Sequence, residues 1–160
     1  MRIRPAGLDD LDFIESAYDH ARAFMRGNGN ADQWPAHYPS RIDAQEDIAR
    51  GRCFLVEDDE GPLAVFAFGP GPESDYASID GAWRAEAPYH VIHRLASVRG
   101  AGVARAAFAF CAERSPHLRC DTHADNVPMR RALESFGFQR RGTVLVRGRF
   151  PREAYDWVAP

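Results

Sequence analysis

A chain of 160 residues is long enough for one domain with a substantial core. Its 45% hydrophobic and 27% charged residues exclude a disordered or fibrous class, and a net charge of −3 gives no footing for a general nucleic-acid or membrane-surface partner. Lysine is absent, so all 20 basic side chains are arginine and any chemistry that needs a lysine side chain is excluded.

Residues 2–5 read as a short strand. Leu8, Leu11, Ile14, Tyr18, Ala21 and Met25 recur at spacings of three and four, which predicts an amphipathic helix over 8–26, ended by the Gly-Asn run that follows. A second helix is expected over 41–50. Cys53 to Glu57 and Leu63 to Phe68 read as strands joined by an Asp58-Asp59-Glu60-Gly61 turn, hence a hairpin. Residues 73–88 read as a long connection with room for some strand, before a strand at 89–98. A helix is predicted over 102–115, with Val103, Ala107, Phe110 and Cys111 on one face, then a strand from Leu118 to His123. Asn126 can cap the next helix, Pro128 suits its first turn and Gly137 stops it. Phe138 to Val146 and Ala154 to Val158 close the chain as an antiparallel pair. The class is α/β of the α+β kind, in the order β-α-α-β-β-β-α-β-α-β-β, as a single domain over 1–160.

Cys53, Cys111 and Cys120 form no C-x-x-C pair and sit in apolar runs, which fits buried, reduced thiols. The opening Met-Arg-Ile-Arg-Pro is no signal peptide and no apolar run reaches transmembrane length, so we expect a cytoplasmic protein.

The junction Val98-Arg99-Gly100-Ala101-Gly102-Val103-Ala104 turns from an apolar strand into a helix. The first N–H groups of a helix lack intrahelical acceptors, the helix dipole adds positive charge there, and glycines admit a close anion. The sequence therefore offers a phosphate cradle. A P-loop is excluded because its lysine is missing. A G-x-G-x-x-G/A dinucleotide turn would put bulky Arg105 where a small residue must pack, although Asp121 stands about 20 residues on, where a ribose-binding acid belongs. The third pattern, R/Q-x-x-G-x-G/A, is met by Arg99, Gly102 and Ala104 at every defined position.

That motif resembles the acyl-CoA-binding turn of the GNAT superfamily, the Gcn5-related N-acetyltransferases. Leu95-Ala96-Ser97 before it is similar to the family's fourth strand. Asp125-Asn126 followed by a short helix and Gly137-Phe138 is similar to a downstream signature, and Ile3-Arg4-Pro5-Ala6 with Asp9-Asp10-Leu11 to its opening strand and helix. Gln-Trp, Ile-His-Arg and Asp-Thr-His-x-Asp-Asn stretches resemble a bacterial subgroup. The resemblance spans essentially the whole chain. It implies a mixed, mostly antiparallel sheet flanked by helices, and transfer of acetyl from acetyl-CoA to a primary amine by direct attack in a ternary complex, with no metal.

The same resemblance suggests site residues. Leu95, Ala96 and Ser97 would pair with the pantetheine arm, and an N–H of this strand would donate to the oxyanion. Arg99, Gly100, Ala101, Gly102, Val103 and Ala104 form the pyrophosphate cradle, and Asn126 would bond the pantetheine as well as cap its helix. Arg99 at the rim would touch phosphate or only solvent. His93, two residues before Leu95, is the candidate general base, since an imidazole titrates near working pH; the alternative is a hydrogen-bonded, half-core histidine. His90, three residues away, should point to the opposite face, which argues against a metal pair. Asp121 and His123 share a face and would support a relay or simply anchor the strand end. The tyrosine often placed seven residues after the Asn is Leu133 here, so the general acid is open, with Tyr155 and Tyr89 as candidates by type. Trp34, Tyr38 and Tyr89 are candidate walls of the acceptor pocket, with Gly81-Ala82-Trp83 and Arg152 nearby in the expected fold; a hydrophobic plug is the other reading of Trp34 and Tyr38. The acceptor would be a small molecule or an exposed peptide amine, and the protein a monomer or homodimer. Two other functions stay open: a catalytically silent acyl-CoA-binding or sensor domain, and a dinucleotide-dependent oxidoreductase.

Overall fold

A computed structural model describes residues 1–160. One eight-stranded sheet runs in the order β1-β2-β3-β5-β6-β8-β7-β4. Its strands are β1 (Arg2–Pro5), β2 (Cys53–Asp58), β3 (Gly61–Pro70), β4 (Asp80–Gly81), β5 (His90–Ser97), β6 (His117–Thr122), β7 (Gln139–Val146) and β8 (Phe150–Val158). The helices are α1 (Leu11–Gly27), α2 (Arg41–Ala49), α3 (Val103–Ala112) and α4 (Val127–Phe136).

Residues on the central strands alternate between two cores. Leu55 and Val65 pack with Leu11, Ile14 and Tyr18 of α1, while Val56 and Phe66 pack with Val103, Ala107 and Phe108 of α3. Helices thus cover both faces, which is why Leu63 to Phe68 is a continuous apolar run rather than an alternating one. Burying side chains of this size contributes about 1.5–3 kcal/mol each.

The expected elements recur with four shifts. The helix expected from residue 8 opens as a 3-10 turn over Leu8–Asp10, where the Asp10 carboxylate accepts the Gly7 N–H at 2.8 Å and holds the Arg4 guanidinium. The helix expected to reach 115 ends at Ala112, because the Arg114 and Ser115 N–H groups both turn back onto the Cys111 carbonyl. The last strand begins at Phe150, four residues early, because Arg147 and Gly148 (φ 55° and 67°) make a tight hairpin turn that pairs β7 with β8 over its full length. The 73–88 connection carries a 3-10 turn (Ser74–Tyr76) and β4, which pairs with β7 at the sheet's far edge. Tyr76 and Trp83 from this segment close a third apolar cluster over Val91, Val144 and Ala154.

Two irregularities sit in β5. Opposite Phe66 of β3 there are two β5 residues, Arg94 and Leu95, between the pairs Ala67↔His93 and Val65↔Ala96, a bulge that holds Arg94 at φ 52°. β5 and β6 form the one parallel pair in the sheet, registered only at His90↔Leu118 and Val91↔Arg119. Beyond that point the two strands part.

Candidate active site

The parting of β5 from β6 opens a cavity of about 410 Å³. Ile92, His93, Arg94 and Leu95 line it from β5, and Cys120, Asp121 and Thr122 from β6. Four consecutive β5 residues can face one cavity because the bulge breaks the strict alternation of the strand. Past Val91 the edge of β5 that faces β6 has no strand partner, so its backbone groups are open to a ligand.

At the other end of β5 a groove of about 280 Å³ lies between the glycine turn and α4, lined by Ser97, Gly100, Gly102, Val103 and Ala104. No N–H from Gly100 through Arg105 makes a well-formed hydrogen bond within the protein. Gly100 and Gly102 hold φ 96° and 80°, and a Cβ on Gly102 would meet nothing within 4 Å. Free donors, a helix N-terminus and open space together make an anion cradle that a pyrophosphate fits. Arg99 does not line this groove. To the two readings open for it, phosphate or solvent, the structure adds a third: its guanidinium ion-pairs with Asp58 at the end of β2 and Glu60 of the following turn at 3.2 and 3.4 Å.

His93 projects into the cavity with its Nε2 3.4 Å from Glu73 Oε2, and its ring lies 6.4 Å from that of Tyr76. The neighbouring imidazole holds the Glu73 carboxyl below its usual range. His90 instead stacks on Phe68 at 5.1 Å, so the two histidines do not converge. Asp121 accepts the Tyr76 hydroxyl at 2.6 Å, and desolvation pushes its carboxyl above the ordinary value despite that bond. His123 lies past the end of β6, where its Nδ1 accepts the Asp125 N–H at 3.1 Å, so it anchors the turn rather than extending a relay.

Asn126 lines the cavity with both side-chain atoms engaged. Its Oδ1 accepts the Met129 N–H at 3.3 Å as the α4 cap, and its Nδ2 donates to Gln33 Oε1 at 3.0 Å. That one Gln33 oxygen also accepts from Asn30 Nδ2, Thr122 Oγ1 and the His123 N–H, tying the 28–40 loop to the end of β6.

Trp34 and Tyr38 line the mouth, edge to face at 6.4 Å. Tyr89 does not line the cavity. Its hydroxyl accepts the Glu73 N–H at 2.9 Å and its ring lies 4.0 Å from the Arg119 guanidinium, so it holds the Glu73 loop rather than walling an acceptor. Leu133 is buried at the cavity floor. Tyr155 fails as a candidate acid, because its hydroxyl donates to Glu134 and accepts from Arg130 outside the cavity. Sequence reasoning missed Glu73 and Arg94 as cavity residues; Arg152, expected nearby, does line the cavity. Arg94 is locked by Asp47 of α2 at 2.7 and 2.9 Å and donates to the Tyr38 hydroxyl at 3.0 Å.

No protein-family model and no curated protein matches the sequence. Solved structures do. A GNAT-family acetyltransferase from Streptococcus agalactiae is 31% identical, covers 99% of this chain and 95% of its own, and superposes with a TM-score of 0.88. A ribosomal-protein-alanine N-acetyltransferase from Brucella melitensis (16% identity, 99% of both chains, TM-score 0.67) shares the fold. So does an aminoglycoside acetyltransferase solved with coenzyme A and kanamycin (19% identity, 98% of this chain and 93% of that one, TM-score 0.63). The mixed sheet parted at its parallel pair, with a glycine turn leading into the helix behind it, is the GNAT fold. The chain belongs to the GNAT family of acetyltransferases.

Proposed function

We propose that this protein moves an acetyl group from acetyl-CoA to a primary amine by direct attack, with His93 as general base. The observation that carries this is the parted β5–β6 pair: His93 within β5 lines the cavity, and the unpartnered N–H groups of the glycine turn that follows the same strand line the groove. Acetyl-CoA, when bound, supplies the activated thioester carbon. The N–H groups from Gly100 to Ala104 would hold its pyrophosphate, the free edge of β5 at Leu95–Ser97 its pantetheine arm, and Asn126 that arm's polar groups by exchanging its Gln33 bond.

The Glu73 carboxylate 3.4 Å from Nε2 of His93 favours the tautomer with its proton on that nitrogen, which leaves Nδ1 as the basic atom. Glu73 itself, held below the usual carboxylate range, is the weaker base of the two. A β5 N–H aimed at the developing oxyanion would stabilise it at no cost in reorganisation. With Leu133 where a tyrosine would otherwise stand, the proton taken up by His93 is the one that returns to the departing thiolate, through water. Trp34 and Tyr38 wall the acceptor side.

Thermal unfolding with acetyl-CoA, CoA, NAD and ATP tests the cradle. A dose-dependent rise with the CoA species, and none with NAD, is expected, because a ligand that binds only the folded chain raises the midpoint. Thiol release with an amine panel then separates catalysis from a silent acyl-CoA-binding domain. Absence of any CoA shift at millimolar concentration would remove the reading.

A further inference from the structure

Three arginines line the cavity: Arg94, Arg147 and Arg152. They are not equivalent. Arg94 has Asp47 as a two-point carboxylate partner. Arg147, at the exposed hairpin turn, lies over the Tyr38 ring at 5.5 Å. Arg152, on β8 and half-buried, has no carboxylate at salt-bridge distance. Its guanidinium donates only to two backbone carbonyls, Pro151 at 3.1 Å and Gln33 at 3.0 Å. A desolvated guanidinium without a counter-ion is costly, and burial pushes its pKa down, so the site is built to receive a negative charge.

The acids nearby do not fill that role. Glu73 faces His93, and Asp75 accepts the Arg147 N–H at 3.0 Å. Asp32 and Asp121 act on Arg152 only through space. Asp121 is occupied by Tyr76 and biased toward its neutral form. It acts through space on both His93 and Arg152, which line the same cavity.

Resting on the acetyl-transfer reading above, we propose that the acceptor is a small amino acid-like zwitterion whose carboxylate is bound by Arg152 while its amine faces His93. Trp34 and Phe150 give the same cavity apolar surface for the rest of the molecule. Arg152 is then the specificity-determining residue. It discriminates by the loss suffered when a carboxylate is replaced by a group that leaves the guanidinium unpaired.

The test compares each standard α-amino acid, β-alanine and γ-aminobutyrate with its own carboxamide. Turnover is read by thiol release and binding by thermal shift of the CoA-saturated protein. At least one carboxylate is expected to exceed its amide by about tenfold or more in kcat/KM, chiefly through KM. In Arg152→Gln that ratio should fall to about one, and Arg152→Lys should recover part of it. The proposal is overturned if amides match or beat carboxylates across the panel, or if neither form binds while acetyl-CoA still does. It is also overturned if Arg152→Gln lowers acid and amide alike. Failure of the acetyl-CoA shift itself would strike the acetyl-transfer reading, and this inference with it. The wild-type ratio decides the matter even if a variant at Arg152 does not fold.

Discussion

His93 and Glu73 meet at 3.4 Å inside a cavity, each about one-third exposed, so both can reach a substrate and neither is sealed in the core. If His93 removes the proton of the amine, His93→Gln should lower kcat by about 10²-fold or more and flatten the rise of rate with pH, while the midpoint shift by acetyl-CoA persists. Loss of the shift as well would point to collapse of β5. Of this pair, His93 was legible in the sequence, as a titratable residue in an apolar strand two positions before Leu95. Glu73 was not, and Asp121 and Arg152 were named there without the partners they meet in the cavity. They come from separate segments that meet only through the strand order β5-β6-β8, and spacing along the chain is silent about that order. Asp121 yields a second outcome. Its folded carboxyl titrates above the ordinary 3.8, so the folded state prefers the proton and carries a penalty at neutral pH. Asp121→Asn keeps an acceptor for the Tyr76 hydroxyl and removes that penalty. It should raise Tm at neutral pH, with a gain that shrinks as pH falls toward 3.8.

Helices and strands were readable because periods of 3.6 and 2 follow from burial on one face or two. The bulge and the parting of β5 from β6 were not, because both are properties of pairing between strands and leave no periodic mark in either one. β4 was hidden for the same reason, since two residues, Asp80 and Gly81, become a strand only against Thr143 and Gly142 of β7. The bulge depends on α2. Arg94 is held at φ 52° by a two-point contact with Asp47, whose side chain is 8% exposed. Asp47→Ala strands that guanidinium and should destabilise the fold by about 3 kcal/mol, seen as a lower urea midpoint with unchanged slope. Beyond the far end of β5, Gly102→Glu puts a residue with a Cβ into a left-handed conformation at φ 80° and a negative charge into the anion cradle. It should abolish the acetyl-CoA shift. An unchanged shift would discard the cradle.

At the scale of the whole molecule, α1 and α2 close one face of the sheet and α3 and α4 the other, while the 73–89 segment seals the strands beyond the cleft. No helix is long and apolar enough to cross a membrane. The seal buries His117 at the start of β6, against Tyr89 at 5.9 Å, with neither ring nitrogen in a well-formed hydrogen bond. Burial first and the charge of Arg119 next push its pKa below the ordinary 6.5, with a smaller push from Arg84; Asp156 and the Ala87 backbone oppose them. Because the folded value is the lower one, the unfolded chain binds the proton more readily. The contribution to stability is complete above 6.5 and is lost as pH falls from there through the folded value. Asp10, Asp58 and Glu73 titrate lower in the folded state than unfolded, so their losses begin only near their ordinary values of 3.8 to 4.5. Asp121 acts with the opposite sign. Subtracting a His117→Phe variant, which keeps an aromatic contact for Tyr89 but cannot take a proton, isolates the histidine. The wild-type Tm should drop between about pH 7 and pH 5 more steeply than that of the variant. Parallel curves would mean that the 83–89 segment opens in the folded state and lets His117 titrate in water.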